Sequence, residues 1–408
     1  MQISRRTLTL SLGALLLGAC STGGITPQAT TTYRTVPNAA YDAWVAGFRG
    51  RAAAQGISQT TLSRAFSRAG YLPDVIERDR NQTEFKRSLE DYLAIAASDE
   101  RISTGRAMLG RYGSTLSAIE ARYGVEKHVV AAIWGLESRY GARRGDVPVI
   151  SALSTLAYDG RRGAFFEEQL IAALRILQNG DTTPRNMTGS WAGAMGHTQF
   201  IPTSYLDYAV DFTGDGRRDI WSDDPSDALA STAAYLAKFG WVSGQPWGVE
   251  VRLPASFNGP FGRGSTRSPA AWAAQGVRDM SGNVVPDHGP ASIIAPSGRN
   301  GPAFMTFRNF TVITRYNNSE SYVIGIGHLS DRLIGKPAIQ GTFPPDANGM
   351  TLEDRKALQA RLTRAGFDTQ GTDGVIGSNT ETAIRAYQRS QGLPETGQPS
   401  QELLRRLG

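Results

Sequence analysis

Residues 129–141, Val-Val-Ala-Ala-Ile-Trp-Gly-Leu-Glu-Ser-Arg-Tyr-Gly, carry the pattern from which the fold class follows. Val130, Ile133, Trp134 and Glu137 are spaced i, i+3, i+4 and i+7, so they share one face of a helix. Because the other members of that face are apolar, the face is predicted to turn inward and to take the Glu137 carboxyl group with it.

A carboxyl group held against a Trp ring and aliphatic side chains loses solvation in its charged form. We therefore expect the pKa of Glu137 to rise, so that it keeps a proton at neutral pH and can act as a general acid. The alternative is an ion pair between Glu137 and Arg139 or Arg143 at the helix end, since buried ion pairs also perturb pKa values.

The composition bounds the class of protein. The chain has 408 residues, 40% of them hydrophobic, with 43 Lys and Arg against 37 Asp and Glu and a net charge of +6. This length and apolar content allow two or three domains with real cores. The basic balance suits an anionic polymer or a membrane surface, whereas no Lys/Arg block is dense enough to predict a nucleic acid as partner.

The N-terminus has the pattern of a targeting segment. Arg5 and Arg6 precede an apolar run at 8–17 that is too short to span a bilayer permanently, and Leu-Gly-Ala-Cys follows at 17–20. This resembles a bacterial lipoprotein signal. It predicts a signal peptide at 1–19 and lipidation of Cys20, the only cysteine in the chain, which also excludes a disulfide framework. The alternative is an ordinary cleaved signal with an incidental cysteine, and the export route, general or twin-arginine, stays open.

The segment after Cys20 predicts the location of the protein. Residues 20–37 are rich in Thr, Gly and Pro, which predicts a flexible tether. Ser21 stands where the Gram-negative sorting pattern would place an Asp for retention at the inner membrane. The lipid anchor is therefore predicted to hold the protein in the outer membrane, facing the periplasm.

The rest of the chain is predicted to be mainly α. Helical spacing marks a long helix through Phe85, Leu89, Tyr92 and Ile95, and another helix at 164–178 that Asn-Gly closes. Residues 242–303 change to Gly, Pro and Ser with short alternating runs, which predicts an irregular, partly β insertion. The alternation continues through 304–316 before a helix at 322–333.

A glycine-rich stretch at 189–205 has the composition of a loop that approaches a ligand closely. Ser190 and Gln199 can hydrogen-bond hydroxyls and amides, and Trp191 and Phe200 offer flat faces on which sugar rings stack. The alternative is a tight turn packed under the next helix. His197 by itself is interpreted as a solvent-facing or core histidine rather than a catalyst.

Two separated motifs carry a family resemblance. Trp-Gly-Leu-Glu-Ser-Arg-Tyr-Gly at 134–141 and Ala-Gly-Ala-Met-Gly-His-Thr-Gln-Phe-Ile-Pro at 192–202 resemble the B-type lytic murein transglycosylases of glycoside hydrolase family 103. The resemblance implies a lysozyme-like catalytic domain over 38–335 with Glu137 as the sole catalytic acid/base. Phe165 stands where the resemblance suggests Tyr, so this chain has no hydroxyl for a contact there. The implied groove-lining residues are Ser190, Gln199, Phe200, Arg161, Arg162, Tyr235, Tyr316, Asn317 and Tyr322.

One carboxylate is enough for the implied reaction. Ordinary glycosidases use two carboxylates, spaced for a water or for a covalent intermediate. With one, Glu137 must protonate the leaving oxygen and then take a proton from the C6 hydroxyl of N-acetylmuramic acid, which gives a 1,6-anhydro sugar. A nucleophile already tethered in the substrate gains a large effective concentration. We expect the substrate's N-acetyl group to stabilise the oxocarbenium-like state.

Residues 211–222, Asp-Phe-Thr-Gly-Asp-Gly-Arg-Arg-Asp-Ile-Trp-Ser, follow a calcium-loop pattern. Asp211, Thr213, Asp215 and the carbonyl of Arg217 fit its first positions, but Ser222 stands where a bidentate Glu belongs. The predicted closing carboxylate is Asp227, with Asp219 and Asp223 as rivals. The loop predicts a structural Ca²⁺ and no catalytic role for it; the alternative is a metal-free Asp/Gly turn. No organic cofactor is predicted.

The last residues predict a separate unit. After an aperiodic linker at 336–350, residues 351–408 combine an apolar stripe, an Asp-Gly turn and a Tyr-Gln pair. The order of these features resembles the small three-helix peptidoglycan-binding domain. The alternative is a helical bundle that only stabilises its neighbour.

The sequence leaves three functional readings of different kinds. The favoured protein is a lipid-anchored lytic transglycosylase that acts on peptidoglycan glycan strands, cutting between N-acetylmuramic acid and N-acetylglucosamine. The others are a non-catalytic wall-binding lipoprotein and a hydrolytic muramidase with a second carboxylate. Protein partners in cell-wall synthesis or division are left unspecified.

Overall fold

A computed structural model describes residues 33–81 and 87–408 of the chain. The predicted signal peptide, Cys20 and most of the predicted tether lie outside the described residues. The chain meets the folded domain before residue 38, because the Val36 N–H donates to the Tyr71 carbonyl at 2.9 Å. Within the described ranges, no helix has both the length and the apolar character needed to cross a bilayer.

The fold is mainly α, as the sequence predicts. The helices of the main domain are α1 (Ala39–Ala54), α2 (Gln59–Phe66), α3 (Pro73–Arg80), α4 (Leu89–Ala96), α5 (Asp99–Arg111), α6 (Gly113–Tyr123), α7 (Lys127–Ser138), α8 (Val149–Asp159), α9 (Gly163–Asn179), α10 (Pro202–Tyr208), α11 (Ser226–Lys238), α13 (Arg308–Ile313) and α14 (Glu320–Leu333). A short antiparallel pair, β1 (Val147–Pro148) and β2 (Thr188–Gly189), joins Val147 to Gly189.

Helix α7 lies at the centre of this domain. It packs against α14, α5, α11 and α6, and every residue from Val129 to Ser138 is buried. Its C-terminal end is fixed by Arg139 in the left-handed conformation, with φ 50°. The periodicity predicts one buried face, but the helix is buried on all sides, because neighbouring helices also cover the faces that were expected to be exposed.

The structure confirms one further predicted helix and corrects the start of another. Helix α9 matches the prediction at 164–178 and ends at Gly180 in the left-handed conformation, with φ 83°. The predicted long helix through Phe85 and Ile95 is wrong in its start, because α4 begins only after Ser88, whose side chain caps it by accepting from the Asp91 N–H. Phe85 lies outside the described residues.

The predicted insertion is an antiparallel sheet with its own core. Strands β3 (Gly248–Arg252), β4 (Arg278–Asp279), β5 (Ser292–Ile294) and β6 (Ala303–Thr306) form a sheet of order β4-β3-β6-β5, with α12 (Pro269–Ala273) beside it. The core side chains are Val251, Phe257, Trp272, Val277, Val285, Ala291, Ile293, Ala303, Met305 and Phe307.

The alternation predicted at 304–316 ends early. Strand β6 stops at Thr306, and helix α13 follows it. Asn309 fixes this turn: its side-chain amide donates to the Val242 and Gln245 carbonyls at 2.8 and 2.7 Å, and its Oδ1 accepts from the Val242 N–H. A short apolar run fits either a strand or a helix, and here distant side-chain contacts select the helix.

The C-terminal unit contains three helices, as its resemblance implies. They are α15 (Leu352–Arg364), α16 (Ser378–Ser390) and α17 (Gln401–Arg406). Thr351 and Asp354 form a capping box at the start of α15. Their shared core consists of Met350, Leu358, Leu362, Ile384, Tyr387, Leu403 and Leu404.

The C-terminal unit is docked onto the main domain. Arg355 of α15, whose side chain is 3% exposed, pairs with Glu90 and Asp91 of α4 at 2.9 and 2.7 Å. It also pairs with Asp346 of the predicted linker at 3.1 Å. Earlier in the linker, the Gly341 N–H donates to Glu250 on β3 at 2.6 Å.

Candidate active site

Glu137 lies in the last turn of α7, with only 9% of the residue exposed. Burial raises the pKa of its carboxyl group to about 7, while a hydrogen bond from Tyr322 acts in the opposite direction. The Tyr322 hydroxyl donates to Oε1 at 2.5 Å. An ion pair with Arg139 or Arg143 would lower this pKa, so burial and not an ion pair accounts for the rise.

A carboxyl group with a pKa near neutrality can both give and accept a proton at physiological pH. Tyr322 is itself fully buried, and burial together with the nearby Glu137 carboxylate raises the pKa of its hydroxyl well above the usual value. The Tyr322 hydroxyl therefore stays protonated, and it stabilises the charged form of Glu137 as a hydrogen-bond donor.

An aromatic group brings several predicted residues together. The Phe200 ring lies 5.8 Å from the rings of Tyr235 and Tyr316, and those two rings are 5.2 Å apart, centroid to centroid. The Tyr316 hydroxyl donates to the Thr198 carbonyl at 2.8 Å, and burial together with the nearby Glu137 charge raises its pKa well above the usual value. This group belongs to the surroundings of Glu137.

The glycine-rich loop has a fixed backbone. Ser190 is fully buried, and its hydroxyl oxygen accepts from the Ala194 N–H at 3.0 Å. Gln199 has a positive φ of 54°, and its amide group donates to the Arg144 and Gly196 carbonyls. With both amide hydrogens engaged, the side-chain oxygen is what Gln199 can offer to a ligand. The predicted contact of Ser190 with glycan stays a prediction, because its hydroxyl supports the turn.

Asn317 and the two arginines have local partners. Asn317 is 7% exposed, and its Oδ1 accepts from the Ser319 N–H at 2.9 Å. Arg161 and Arg162 both pair with Asp79 of α3, whose side chain is 1% exposed. No contact described for the two arginines joins them to Glu137 or to the aromatic group, so their place in a groove stays a prediction. Phe165 packs edge-on against Phe166.

Two residues lie beside neighbours of Glu137, Tyr92 next to Tyr322 and His197 next to Trp134, and the sequence indicated neither contact. Tyr92 of α4 is buried against Gly325 of α14 and adds to the electrostatic environment of Tyr322. His197 is buried and hydrogen-bonded to Trp134. The apolar spacing around Tyr92 marks it only as a core residue, and the packing of α4 on α14 is what brings it close.

The candidate calcium loop gathers three carboxylates. Asp211, Asp215 and Asp227 can place one oxygen each within 4.8 Å of the others. The rivals are engaged elsewhere: Asp219 accepts from the Trp221 and Ser222 N–H groups, and Asp223 pairs with Arg144 at 2.8 Å.

Asp227 differs from the other two carboxylates in its burial. It is 3% exposed, and burial raises its pKa although the N–H groups of Phe212, Thr213 and Asp219 donate to it. A buried carboxylate beside two others is disfavoured in its charged form, and a divalent cation would reverse that preference. The donor set of carboxylate oxygens therefore fits a hard cation.

Comparison with known proteins decides the family. The transglycosylase SLT domain matches residues 40–331, which is most of the chain and includes α7 and the aromatic group. The chain belongs to the transglycosylase SLT family. A putative peptidoglycan binding domain matches residues 351–407, next to the SLT domain. The resemblance drawn from the motifs at 134–141 and 192–202 is thereby confirmed.

Relatives of this SLT protein include named lytic transglycosylases. The chain is 34% identical over 233 residues to membrane-bound lytic murein transglycosylase B of Escherichia coli K12, covering 56% of this chain and 63% of that protein. The chain thus spans less than two thirds of the length of this curated relative. Its fold also matches SltB3 of Pseudomonas aeruginosa in complex with NAG-NAM-pentapeptide, with 45% identity and a TM-score of 0.74, covering 91% of this chain and 100% of that one. A third match is Escherichia coli Slt35 in complex with calcium, with 28% identity, a TM-score of 0.62, and coverage of 76% and 98%.

Proposed function

We propose that this chain is a lytic murein transglycosylase. It cleaves the β-1,4 bond between N-acetylmuramic acid and N-acetylglucosamine in peptidoglycan and leaves 1,6-anhydro-N-acetylmuramic acid ends. The observation that carries the proposal is the buried carboxyl of Glu137, whose pKa of about 7 suits both halves of a proton shuttle. The named relatives and the NAG-NAM-pentapeptide complex of SltB3 support this substrate class.

The first half of the reaction uses the protonated form of Glu137. Its carboxyl gives the proton to the glycosidic oxygen as the C1–O bond of the muramic acid breaks and positive charge develops at C1. The resulting carboxylate is stabilised by the hydrogen bond from the Tyr322 hydroxyl. Because burial disfavours the charged form of Glu137, its carboxylate takes up a proton readily and can act as the base in the next step.

The second half closes the sugar on itself. The C6 hydroxyl of the same muramic acid attacks C1, and Glu137 takes the proton that the hydroxyl loses. The catalyst returns to its starting form, and no water is consumed. Because the nucleophile is held within the substrate, the reaction does not need a second carboxylate to activate it.

The groove residues are assigned as part of this proposal. The side-chain oxygen of Gln199 is suited to sugar hydroxyls and amides, and half-buried Tyr316, packed on the buried rings of Phe200 and Tyr235, supplies the aromatic surface. Asn317, Tyr322, Ser190, Arg161 and Arg162 complete the set implied by the family resemblance. Participation of the substrate N-acetyl group is tested by a glycan without it, since full turnover of that glycan would discard this step.

Mass spectrometry of digested peptidoglycan tests the proposed reaction. The wild-type protein is expected to release muropeptides with 1,6-anhydro ends. The Glu137→Gln variant should bind glycan but release no product, because the amide cannot donate the proton. Glu100→Gln, an exposed change on α5, is the matched control and should leave turnover intact. Reducing ends instead of anhydro ends would indicate a hydrolytic muramidase, and no cleavage by the wild type would indicate a wall-binding lipoprotein.

We also propose a structural Ca²⁺ at the loop of Asp211, Asp215 and Asp227, with Thr213 and the Arg217 carbonyl completing the site. The convergence of the three carboxylates and the calcium complex of Slt35 support it. The cation would hold the loop and the start of α11. It takes no part in the proton steps assigned to Glu137.

We propose that the mature protein is anchored by lipidated Cys20 in the outer membrane and faces the periplasm. The basis is the N-terminal sequence pattern, together with a relative named as membrane-bound. The C-terminal domain would hold the enzyme on the glycan that it cuts, as the description of its family suggests. The mass of the mature N-terminal peptide, with or without acyl chains, tests the anchor.

A further inference from the structure

A set of hydrogen bonds joins the end of α7 to residues 220–222 and runs through His197, which is 3% exposed. The His197 carbonyl accepts from the Ser138 hydroxyl at 2.5 Å. Its backbone N–H donates to the Ile220 carbonyl at 3.1 Å. The residue directly after Glu137 is therefore tied to the main chain of His197.

The imidazole ring of His197 makes a second connection between α7 and residues 220–222. Trp134, one turn before Glu137, donates its Nε1–H to His197 Nδ1 at 3.1 Å. Because an indole nitrogen can only donate, Nδ1 must be unprotonated, and the ring proton sits on Nε2. Nε2 then donates to the Ser222 carbonyl at 2.8 Å, which also accepts from Arg144 at 2.6 Å. Arg144 Nη1 also lies 3.2 Å from Nε2, but a guanidinium nitrogen cannot accept, so it and Nε2 both donate to the Ser222 carbonyl. Trp134 thus fixes the tautomer of the ring, and Trp134 and Ser222 together fix its orientation.

The backbone after α7 is shaped to this ring. Arg139 and Tyr140 have positive φ values of 50° and 56°, and the chain then passes His197 at Gly141, where φ is 86°. A Cβ atom at Gly141 would lie 2.5 Å from His197 Cε1 and Nδ1. Only glycine allows this approach, so the exit from α7 is packed directly on the imidazole.

We infer that His197 is a positioning residue for the reaction: it holds Trp134 and Ser138, and through them the last turn of α7 and the Glu137 carboxyl. The inference rests on the proposed function. A general acid must meet the leaving oxygen within hydrogen-bond distance, and a misplacement of about 1 Å costs about 100-fold in rate. His197 neither donates to nor accepts from the substrate in this scheme.

The test compares His197→Leu with His197→Gln. Leucine fills the space but offers no acceptor to Trp134 and no donor to Ser222, whereas the glutamine amide presents one of each. We expect His197→Leu to lower kcat by about 10- to 100-fold, with KM changed less than about twofold, since the proton transfer and not glycan binding is affected. We expect His197→Gln to recover most of the rate.

The pH profile and amide hydrogen exchange separate positioning from mere stability. Loosening the last turn of α7 admits water to Glu137, so the alkaline limb of the rate profile should move to lower pH in His197→Leu. Exchange at 134–141 should become faster in that variant and return towards wild type in His197→Gln. This exchange measurement needs no turnover, so it separates failure of the inference from failure of the proposed function.

Leu62→Ala, a fully buried change in α2, is the control for lost stability alone. It should lower the melting temperature while leaving kcat and the pH profile unchanged. If His197→Leu behaves like this control, the inference is overturned. If His197→Leu does not fold, His197→Asn takes its place, because it keeps an acceptor for Trp134 but cannot reach Ser222; wild-type kcat and exchange in that variant would equally overturn it.

Discussion

Single side chains set the chemistry of this protein. Glu137 is a carboxyl group kept away from water by α7 and its neighbours, and the hydroxyl of Tyr322 is its hydrogen-bonding partner. Burial and the hydrogen bond act on its pKa in opposite directions, and burial prevails. The position of the acid on the helix could be predicted from apolar spacing. Its partner could not, because the two residues are 185 positions apart.

The raised pKa of Glu137 predicts a dependence of stability on pH. The folded state holds the proton up to about pH 7, whereas the unfolded chain releases it near 4.5. Because the folded state keeps this proton between these values and the unfolded chain does not, the contribution of Glu137 to the unfolding free energy should fall as the pH rises through that window, by roughly 3 kcal/mol. Glu137→Gln has no such group, so it should match the wild type near pH 4 and exceed it in stability by roughly 3 kcal/mol at pH 8.

Urea denaturation between pH 4 and 8 measures this difference. Glu100→Gln serves again as the control, since an exposed carboxyl should show no comparable difference from the wild type. A constant gap between wild type and Glu137→Gln across the whole range would contradict the assignment of a raised pKa to Glu137.

Loops and helices place these side chains. The calcium-loop pattern at 211–222 predicted Asp211 and Asp215 from spacing, but left three candidates for the closing carboxylate. The fold brings Asp227 to the other two, because α11 begins next to the loop and carries Asp227 in its first turn. Carboxylates are favoured in that part of a helix, which adds a second reason for this position.

Removal of the proposed Ca²⁺ is expected to loosen this loop. Adding a chelator should lower the melting temperature of the wild type, and re-adding Ca²⁺ should restore it, since the ion binds only the folded state. Asp227→Asn should melt at a temperature that no longer depends on Ca²⁺. Asp223→Asn is the matched control, because Asp223 pairs with Arg144 outside the cluster, and it should keep the full Ca²⁺ dependence. An unchanged melt of the wild type in chelator would refute the metal site.

The arrangement of the two domains depends on buried charge. Arg355 projects from α15 towards α4 and the linker. Its guanidinium group pairs with Glu90 and Asp91 of α4 and with Asp346 of the linker. A buried salt bridge adds little to the unfolding free energy compared with apolar packing. Removing one of its partners is nevertheless costly, because the other charge then stays buried without a counter-charge. The C-terminal domain is therefore docked at a defined place on the SLT domain instead of hanging from a free linker.

Arg355→Met is expected to release this contact, because Glu90, Asp91 and Asp346 would be left without their common cation. Calorimetry should then show a separate, lower-temperature transition for the C-terminal domain, and the segment at 336–350 should become more sensitive to limited proteolysis. Arg364→Met changes an exposed arginine of the same helix and should behave like the wild type. A single, unshifted transition in Arg355→Met would show that the salt bridges do not hold the domains together.

The sequence was sufficient for features that follow from local spacing. The 3.6-residue periodicity of 129–141 predicts α7 and the buried Glu137, and the motif order predicts the family and the small C-terminal domain. Each of these patterns is a short stretch of sequence, or a fixed order of short stretches, so it can be recognised without knowing which segments pack together.

The remaining features depend on how distant segments pack. Periodicity shows which face of a helix is buried, but it does not show which segment of the chain packs against that face. Only the folded chain could show that Tyr322 bonds to Glu137, that Arg161 and Arg162 pair with Asp79, and that α13 replaces the expected strand. Each of these features depends on contacts between residues far apart in sequence. Such contacts contribute free energy only after the chain between them has folded and brought them together.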